Sequence, residues 1–275
     1  MAVINKIIPF SCIDGPGNRT AIFFQGCNFK CTYCHNPETI NKCINCTKCV
    51  QVCPTGALEV IDKKVIWNEN KCVQCDNCIR VCEHLSTPKT KDLSVDELFN
   101  EIKKISPFIQ GITVSGGECT LNADYLTKLF KKVKEELNLT CFVDTNGGID
   151  LTDYEELVEI TDKFMLDVKS IDKEEHIKIT GVSNEIVLNN LEYLLKKDKL
   201  YEVRTVIVPN LDNEKTVKVV SNIIKDKCKY KLNAYRKHGV RKEGIDFHGE
   251  IGLSDEELNN IKKILEKYTL DSYNI

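Results

Sequence analysis

Three cysteines stand close together in Gly26-Cys27-Asn28-Phe29-Lys30-Cys31-Thr32-Tyr33-Cys34-His35-Asn36-Pro37, at the spacing C-x3-C-x2-C. Ordinary [4Fe–4S] electron carriers spend four thiolates on the cube, one per iron. Three thiolates on one tight loop bind three irons and leave the fourth without a protein ligand. An open metal position takes a substrate or cofactor, as it does at a catalytic zinc. The competing readings are a zinc knuckle or a set of buried structural cysteines, because short motifs recur by chance. The loop follows an apolar, strand-like run over 20–25, which puts it at a strand end.

Eight of the remaining twelve cysteines form two matched quartets: Cys43-x2-Cys46-x2-Cys49-x3-Cys53-Pro54 and Cys72-x2-Cys75-x2-Cys78-x3-Cys82. This is the bacterial ferredoxin run, in which the fourth cysteine of each quartet ligates the other cluster. The expected sets are Cys43, Cys46, Cys49 and Cys82 for one [4Fe–4S] cluster, and Cys72, Cys75, Cys78 and Cys53 for the other. Structural zinc more often pairs two separated C-x2-C knuckles. Glu83 stands where the second run should have proline; proline is no ligand, so the turn changes and the ligand set does not. The quartets define an insert over 38–88, flanked by 1–37 and 89–275. Two low-potential cubes beside a third read as an electron relay or as structural clusters.

Composition narrows the setting. The chain has 275 residues, enough for one full α/β core and a small module. A net charge of −3 and a pI near 6.0 give no reason to expect nucleic acid. No apolar stretch approaches membrane-spanning length, and 1–10 lacks a signal-peptide layout. Fifteen cysteines, eleven of them at metal-type spacings, fit a reducing cytoplasm better than a disulfide framework. Lysine runs such as Lys131-Lys132 read as solvated helix faces, and Cys12 and Cys228 suggest no role. Cys141 reads as strand packing.

The elements that must hold these groups alternate. Strand patterns cover 20–25, 111–115, 140–145, 163–168, 201–208 and 229–235. Helical patterns cover 94–105, 122–137, 152–161, 185–197, 213–226 and 254–268, the first opening on the capping box Ser94-x-x-Glu97. Six strands each followed by a helix imply a parallel sheet, expected here as a partial (β/α)6 TIM-like barrel; a doubly wound open sheet is the alternative. The polar and glycine-rich pieces all fall after strands: 27–34, Ser115-Gly116-Gly117-Glu118, Asp144-Thr145-Asn146-Gly147, Asp167-Val168-Lys169, 204–208 and 234–238. In a barrel that face builds the active site.

Charge at the end of an apolar strand is costly unless paired, which singles out Asp144, Asp167 and Lys169. A buried salt bridge from Lys169 to one aspartate satisfies that cost. Arg204, alone in an apolar strand, reads as a carboxylate partner. Gly116 and Gly117 let the backbone approach a ligand closely, or simply make a strand-to-helix turn. Cys119 reads as a small buried thiol.

The 27–34 loop resembles the signature of the radical S-adenosylmethionine (SAM) superfamily. The run Ile7-Ile8-Pro9-Phe10-Ser11-Cys12-Ile13-Asp14-Gly15-Pro16-Gly17-Asn18-Arg19, the F-x-Q-G-C approach to Cys27 and the C-H-N-P at Cys34 resemble the glycyl radical enzyme activases. Within them the chain is similar to the YjjW-type branch, which carries a ferredoxin insert, over almost its whole length. The resemblance implies that Cys27, Cys31 and Cys34 hold a third [4Fe–4S] cluster, whose open iron takes SAM. It further implies that Tyr33 and His35 lie by the nucleoside, that Gly116, Gly117 and Glu118 meet the methionyl amine, and that Asp144, Thr145, Asn146, Asp167 and Lys169 surround the cofactor. Asp144, Thr145, Met165 and Asp167 would also hold a monovalent cation. The family's nucleoside histidine is replaced by Arg236, with His238 two positions on. Asp14 is the family's candidate for gripping the substrate loop of a partner glycyl radical enzyme. A flavodoxin or ferredoxin reductant and a monomeric activase complete the implied picture. A radical SAM enzyme for another substrate and a plain iron–sulfur electron carrier are the rivals.

Overall fold

In the computed structural model, which describes residues 1–267, the chain opens with an antiparallel pair, β1 (Ala2–Ser11) and β2 (Arg19–Phe24). The region 38–88 follows, with α1 (Lys48–Gln51), β3 (Leu58–Ile61), β4 (Lys64–Trp67) and α2 (Asn77–Arg80). Its hairpin closes on Asp62 and Lys63, both at positive φ, as a two-residue turn of the twisted-hairpin type requires. Its apolar cluster of Cys49, Leu58 and Cys78 is separate from the main core. The chain then returns through β5 (Lys91–Leu93), antiparallel to β1, and α3 (Val95–Ile105).

The remainder alternates β6 (Gly111–Gly116), α4 (Ala123–Leu137), β7 (Thr140–Thr145), α5 (Glu155–Ile160), β8 (Lys163–Asp167), α6 (Lys173–Thr180) and α7 (Glu185–Lys196). It ends with β9 (Leu200–Ile207), α8 (Asn213–Ile224), β10 (Lys229–Ala234), α9 (Lys242–His248) and α10 (Asp255–Glu266). Ser94 and Ser254 close reciprocal capping boxes on α3 and α10. The apolar stripes of the helices, through Leu98, Leu126, Phe130 and Leu191, pack on Ile22, Ile112 and Val143 of the sheet.

The eight-stranded sheet runs β10-β9-β8-β7-β6-β2-β1-β5. Its six parallel strands lie in chain order. A doubly wound sheet would reverse that order at a switch point, so that alternative is excluded. All six expected strands are present, and the chain is an α/β protein with a mostly parallel central sheet. The sequence reading lacks β1, the three-residue β5, the β3–β4 hairpin, α6 and α9. The helix expected over 152–161 is a 3-10 turn, Leu151–Tyr154, running into the short α5. The expected end of the last helix at Tyr268 lies outside the described residues.

One buried cation ties the first strands together. Arg19 is 1% exposed, and among the described residues no carboxylate pairs with it. Its guanidinium donates to Thr113 Oγ1 (2.8 Å), Thr140 Oγ1 (2.9 Å), Ile112 O (2.6 Å) and Thr140 O (3.1 Å). It also lies 4.2 Å from the Phe142 ring centroid. Burial lowers its pKa to about 10, a cost that the neutral acceptors and the ring offset only in part. Arg19→Met strands those acceptors and is expected to lower unfolding free energy by about 2–4 kcal/mol, read as a fall in the thermal unfolding midpoint. Unchanged stability would show that the guanidinium is not a structural bolt.

Candidate active site

Parallel strands wound in one direction turn all their carboxyl ends to the same side. There the loops enclose a cleft with an empty volume of about 1150 Å³, the solvent at its mouth included. Cys27, Cys31 and Cys34 line it, together with Tyr33, His35, Gly116, Gly117, Glu118, Asp144, Thr145, Asn146, Asp167, Lys169 and Arg204.

The cysteine loop is held from several sides. Gly26 N and Cys27 N donate to Thr39 O and Ile40 O at 2.9 and 2.8 Å, while Lys30 N and Thr32 N donate to Thr180 O and Ile179 O, both at 2.8 Å. Arg241 donates to Cys31 O at 3.0 Å. His248 bridges Thr32 Oγ1 (2.8 Å) and Pro209 O (2.9 Å), and its ring packs against Tyr33 at 5.8 Å between centroids. Burial pushes the Cys27 thiol up to about 12 and the Cys31 thiol up to about 11. Asn146 Nδ2 sits 3.6 Å from Cys27 Sγ and bonds Asn28 Oδ1 at 3.0 Å.

Gly116 has φ near +119°, and a side chain there would meet Phe24 N at 2.2 Å. A side chain on Gly117 would meet Gly26 O at 2.3 Å. Both glycines are therefore required by the close approach of β2 and the cysteine loop, whatever else they serve. Glu118 is buried, and four donors converge on it: Thr120 N (3.0 Å), Thr120 Oγ1 (2.5 Å), Thr145 Oγ1 (2.8 Å) and Asn146 N (2.7 Å). Its carboxylate joins the loops after β6 and β7. Cys119 is fully buried beside it, as is Cys141 within β7.

Lys169 Nζ bonds Asp167 Oδ2 at 2.9 Å and stands 5.8 Å from the Tyr33 ring centroid. The buried salt bridge expected at Lys169 is present. Burial alone would lower the Lys169 pKa, but Asp167, Cys31 and Tyr33 together outweigh it and hold the ammonium well above its ordinary range. Burial pushes Asp144 up, Arg204 pulls it down, and the charges of Asp167 and Asp14 add to the upward push. Asp14 lies in the β1–β2 turn and not on the cleft wall; its carboxylate takes Ser11 Oγ at 2.5 Å and its carbonyl takes Thr113 Oγ1 at 2.5 Å. The Arg236 and His238 side chains are exposed and do not line the cleft; Arg236 contributes its carbonyl to His35 Nε2 at 2.9 Å.

The four residues expected to hold a monovalent cation are all engaged by the protein. Arg204 donates to Asp144 Oδ2 and to Met165 Sδ, both at 3.0 Å. Thr145 Oγ1 donates to Glu118 and accepts from Gly147 N at 3.0 Å. Asp167 is taken by Lys169. These side-chain contacts occupy one oxygen of each aspartate, Asp144 Oδ2 and Asp167 Oδ2.

In the 38–88 region, one pocket of about 320 Å³ is lined by Cys53, Cys72, Cys75 and Cys78, and another of about 340 Å³ by Cys43, Cys46, Cys49, Cys82 and again Cys78, the solvent at each mouth included. The two halves repeat in backbone conformation as well as in sequence. Asn45 and Gln74 have φ of 57° and 55°, and Thr47 and Asp76 have φ of 66° and 59°. Gln25 bolts the neck of this region in place through Glu38 O (2.7 Å) and Asn41 O (2.6 Å).

The sequence reading misses Glu202, His248, Asn28 and Arg241. The signal for Glu202 was available: it is a second charge two positions from Arg204, on the same face of an otherwise apolar strand. The other three act through contacts across the chain, which no local spacing reveals.

A scan against protein families matches the radical SAM superfamily over residues 21–223. The trans-4-hydroxy-L-proline dehydratase activating enzyme of Clostridioides difficile is 32% identical, with 92% of each chain covered. The pyruvate formate-lyase 1-activating enzyme of Escherichia coli K12 is 30% identical, with 98% of each covered. Among solved structures, QueE from Escherichia coli shares the fold at a TM-score of 0.53 and 13% identity, over 97% of this chain and 90% of that one. The chain is thus a radical SAM protein, and it belongs to the glycyl-radical-enzyme activating enzymes of that superfamily. Among the described residues no helix is long and apolar enough to cross a membrane.

Glu118→Gln turns an amide donor toward groups that are themselves donors. It is expected to cost about 1–3 kcal/mol of stability, measured by denaturant unfolding, with Thr120→Val costing less. Equal stability of Glu118→Gln and wild type would show that the carboxylate does not hold the two loops together.

Proposed function

We propose that this chain installs a glycyl radical in a partner protein, using a [4Fe–4S] cluster on Cys27, Cys31 and Cys34 and SAM as co-substrate. The observation that carries the reading is one cleft in which three thiols, a glycine pair and the charged ends of β7, β8 and β9 converge. Held by these three thiolates, a cluster would supply the one electron that splits SAM at its C5′–S bond into methionine and a 5′-deoxyadenosyl species able to take a hydrogen atom from a backbone glycine of the partner.

The protein's own contribution is placement. Tyr33 is buried on the cleft wall and its hydroxyl has no hydrogen-bond partner among the described residues, a polar atom that a nucleoside edge would satisfy. Lys169 and Arg204 would give an amino-acid carboxylate two positive partners, and the side-chain-free backbone of Gly116 and Gly117 on the cleft wall is assigned to the amine. Asp14, within electrostatic reach of Asp144, is the residue proposed to meet the partner's glycine loop. His35 is assigned to the nucleoside side; Arg236 and His238 would have to swing inward to join it.

The 38–88 region is proposed to be a ferredoxin-type insert in a partial (β/α)6 barrel formed by 1–37 and 89–275, with two [4Fe–4S] clusters relaying electrons from a flavodoxin or ferredoxin. Its paired cavities and repeated backbone support that reading. The activase is taken to act as a cytoplasmic monomer.

The test is anoxic. Reconstituted protein, reductant, SAM and a glycyl radical protein encoded nearby should give a glycyl doublet by electron paramagnetic resonance, together with 5′-deoxyadenosine. Cys31→Ala should lose both signals. Deoxyadenosine without a doublet for any such partner would point to another substrate, and no SAM cleavage would sink the reading. For the insert, Cys46→Ser and Cys75→Ser should keep dithionite-driven SAM cleavage while losing most of the flavodoxin-driven rate. Full activity with the protein reductant would make the insert clusters structural.

A further inference from the structure

The strand register stacks charged residues on one inner face. Asp144 of β7 pairs with Met165 of β8, Met165 with Glu202 of β9, and Asp167 of β8 with Arg204 of β9. Residues two apart on a strand share a face. Glu202 and Arg204 therefore rise from β9 beside Met165 and Asp167 of β8. Glu202 is 8% exposed, and its Oε1 takes Arg204 Nε at 2.6 Å. Arg204 Nη1 reaches Asp144 Oδ2 and Nη2 reaches Met165 Sδ, both at 3.0 Å. All three guanidinium nitrogens are thus committed within one small region.

We infer that the guanidinium of Arg204, aimed by Glu202, is the resident cation of this site and stands in for a monovalent metal ion. A metal ion seated on Asp144 Oδ2 and Met165 Sδ would have to share both atoms with a positive group already in contact with them. Two like charges that close, with little water between them, repel strongly. A guanidinium also suits the place by shape, since its planar fork serves three acceptors at once where an ion would need its own shell. Glu202 sets that fork: without it, Nε has no acceptor and the head can rotate away. Glu202 is in this sense a positioning residue, and Arg204 the group that would meet the cofactor's carboxylate.

The inference rests on the SAM-binding reading of the cleft, so the experiment separates the two. SAM is titrated into the reconstituted, oxidised enzyme, where no turnover occurs. One buffer contains potassium chloride, the other tetramethylammonium chloride at the same ionic strength. Wild-type affinity should differ by less than about two-fold between them, while Arg204→Gln should bind at least about ten-fold more weakly in tetramethylammonium and recover in potassium. Glu202→Gln should acquire a smaller potassium dependence. Potassium titrated alone, without SAM, should bind Arg204→Gln and not wild type. A wild-type affinity that tightens more than about two-fold in potassium overturns the inference, and the measurement needs no variant to fold. An Arg204→Gln protein that retains its cluster but ignores potassium overturns it too. Absence of SAM binding in either buffer sinks the cofactor reading and this inference with it.

Discussion

The open end of the sheet is registered against a small knot of backbone hydrogen bonds around Gly26. Gly117 N donates to Phe24 O and Glu118 N to Gly26 O, while Gly26 N and Cys27 N donate to Thr39 O and Ile40 O. The end of β6, the cysteine loop and the first residues of the 38–88 region are thereby fixed to one another within a single turn of chain. Side-chain networks are added outward from that knot. Glu118 carries the register on to β7 through Thr145 and Asn146, and Asn146 returns it to Cys27. A shift of β2 relative to β6 would move every group in the cleft, and the side-chain-free surface of Gly116 and Gly117 is what permits so close a junction.

Charge is handled differently at the two ends of the strands. At their starts, one arginine is buried against neutral oxygens and a ring, and it holds strands together without facing any ligand. At their finishes, Arg204 pairs with Asp144 and Glu202 and Lys169 pairs with Asp167, three carboxylates against two cations beside the cleft. Buried ion pairs are weak contributors to stability because desolvation offsets their attraction. A set this dense is better understood as preorganised polarity than as a source of stability.

Much of this was legible in the chain itself. The six parallel strands could be read because each is an apolar run ended by a polar or glycine-rich piece, and the cysteine groupings because ligand spacing is local. β1 was missed because Ala2–Ser11 mixes buried and exposed residues without a clean alternation. Both β5 and α6 are short, and α6 has little amphipathic character, so pairing and capping decide them. In the site, Glu118 was read as a cofactor contact, and its carboxylate is committed to loop donors. Of the residues that the family resemblance implies for a cation, Asp144 and Met165 contact Arg204, Asp167 contacts Lys169 and Thr145 contacts Glu118. Neither fact could be obtained from spacing along the chain, since both depend on which strands become neighbours.

The two cavities of the 38–88 region each borrow a wall from the other half of the repeat: Cys53 from the first run closes the second cavity, and Cys82 from the second run closes the first. Neither half is a complete container. A chain that had lost one half would lose both cages at once, so the region can be gained, inherited or discarded only whole.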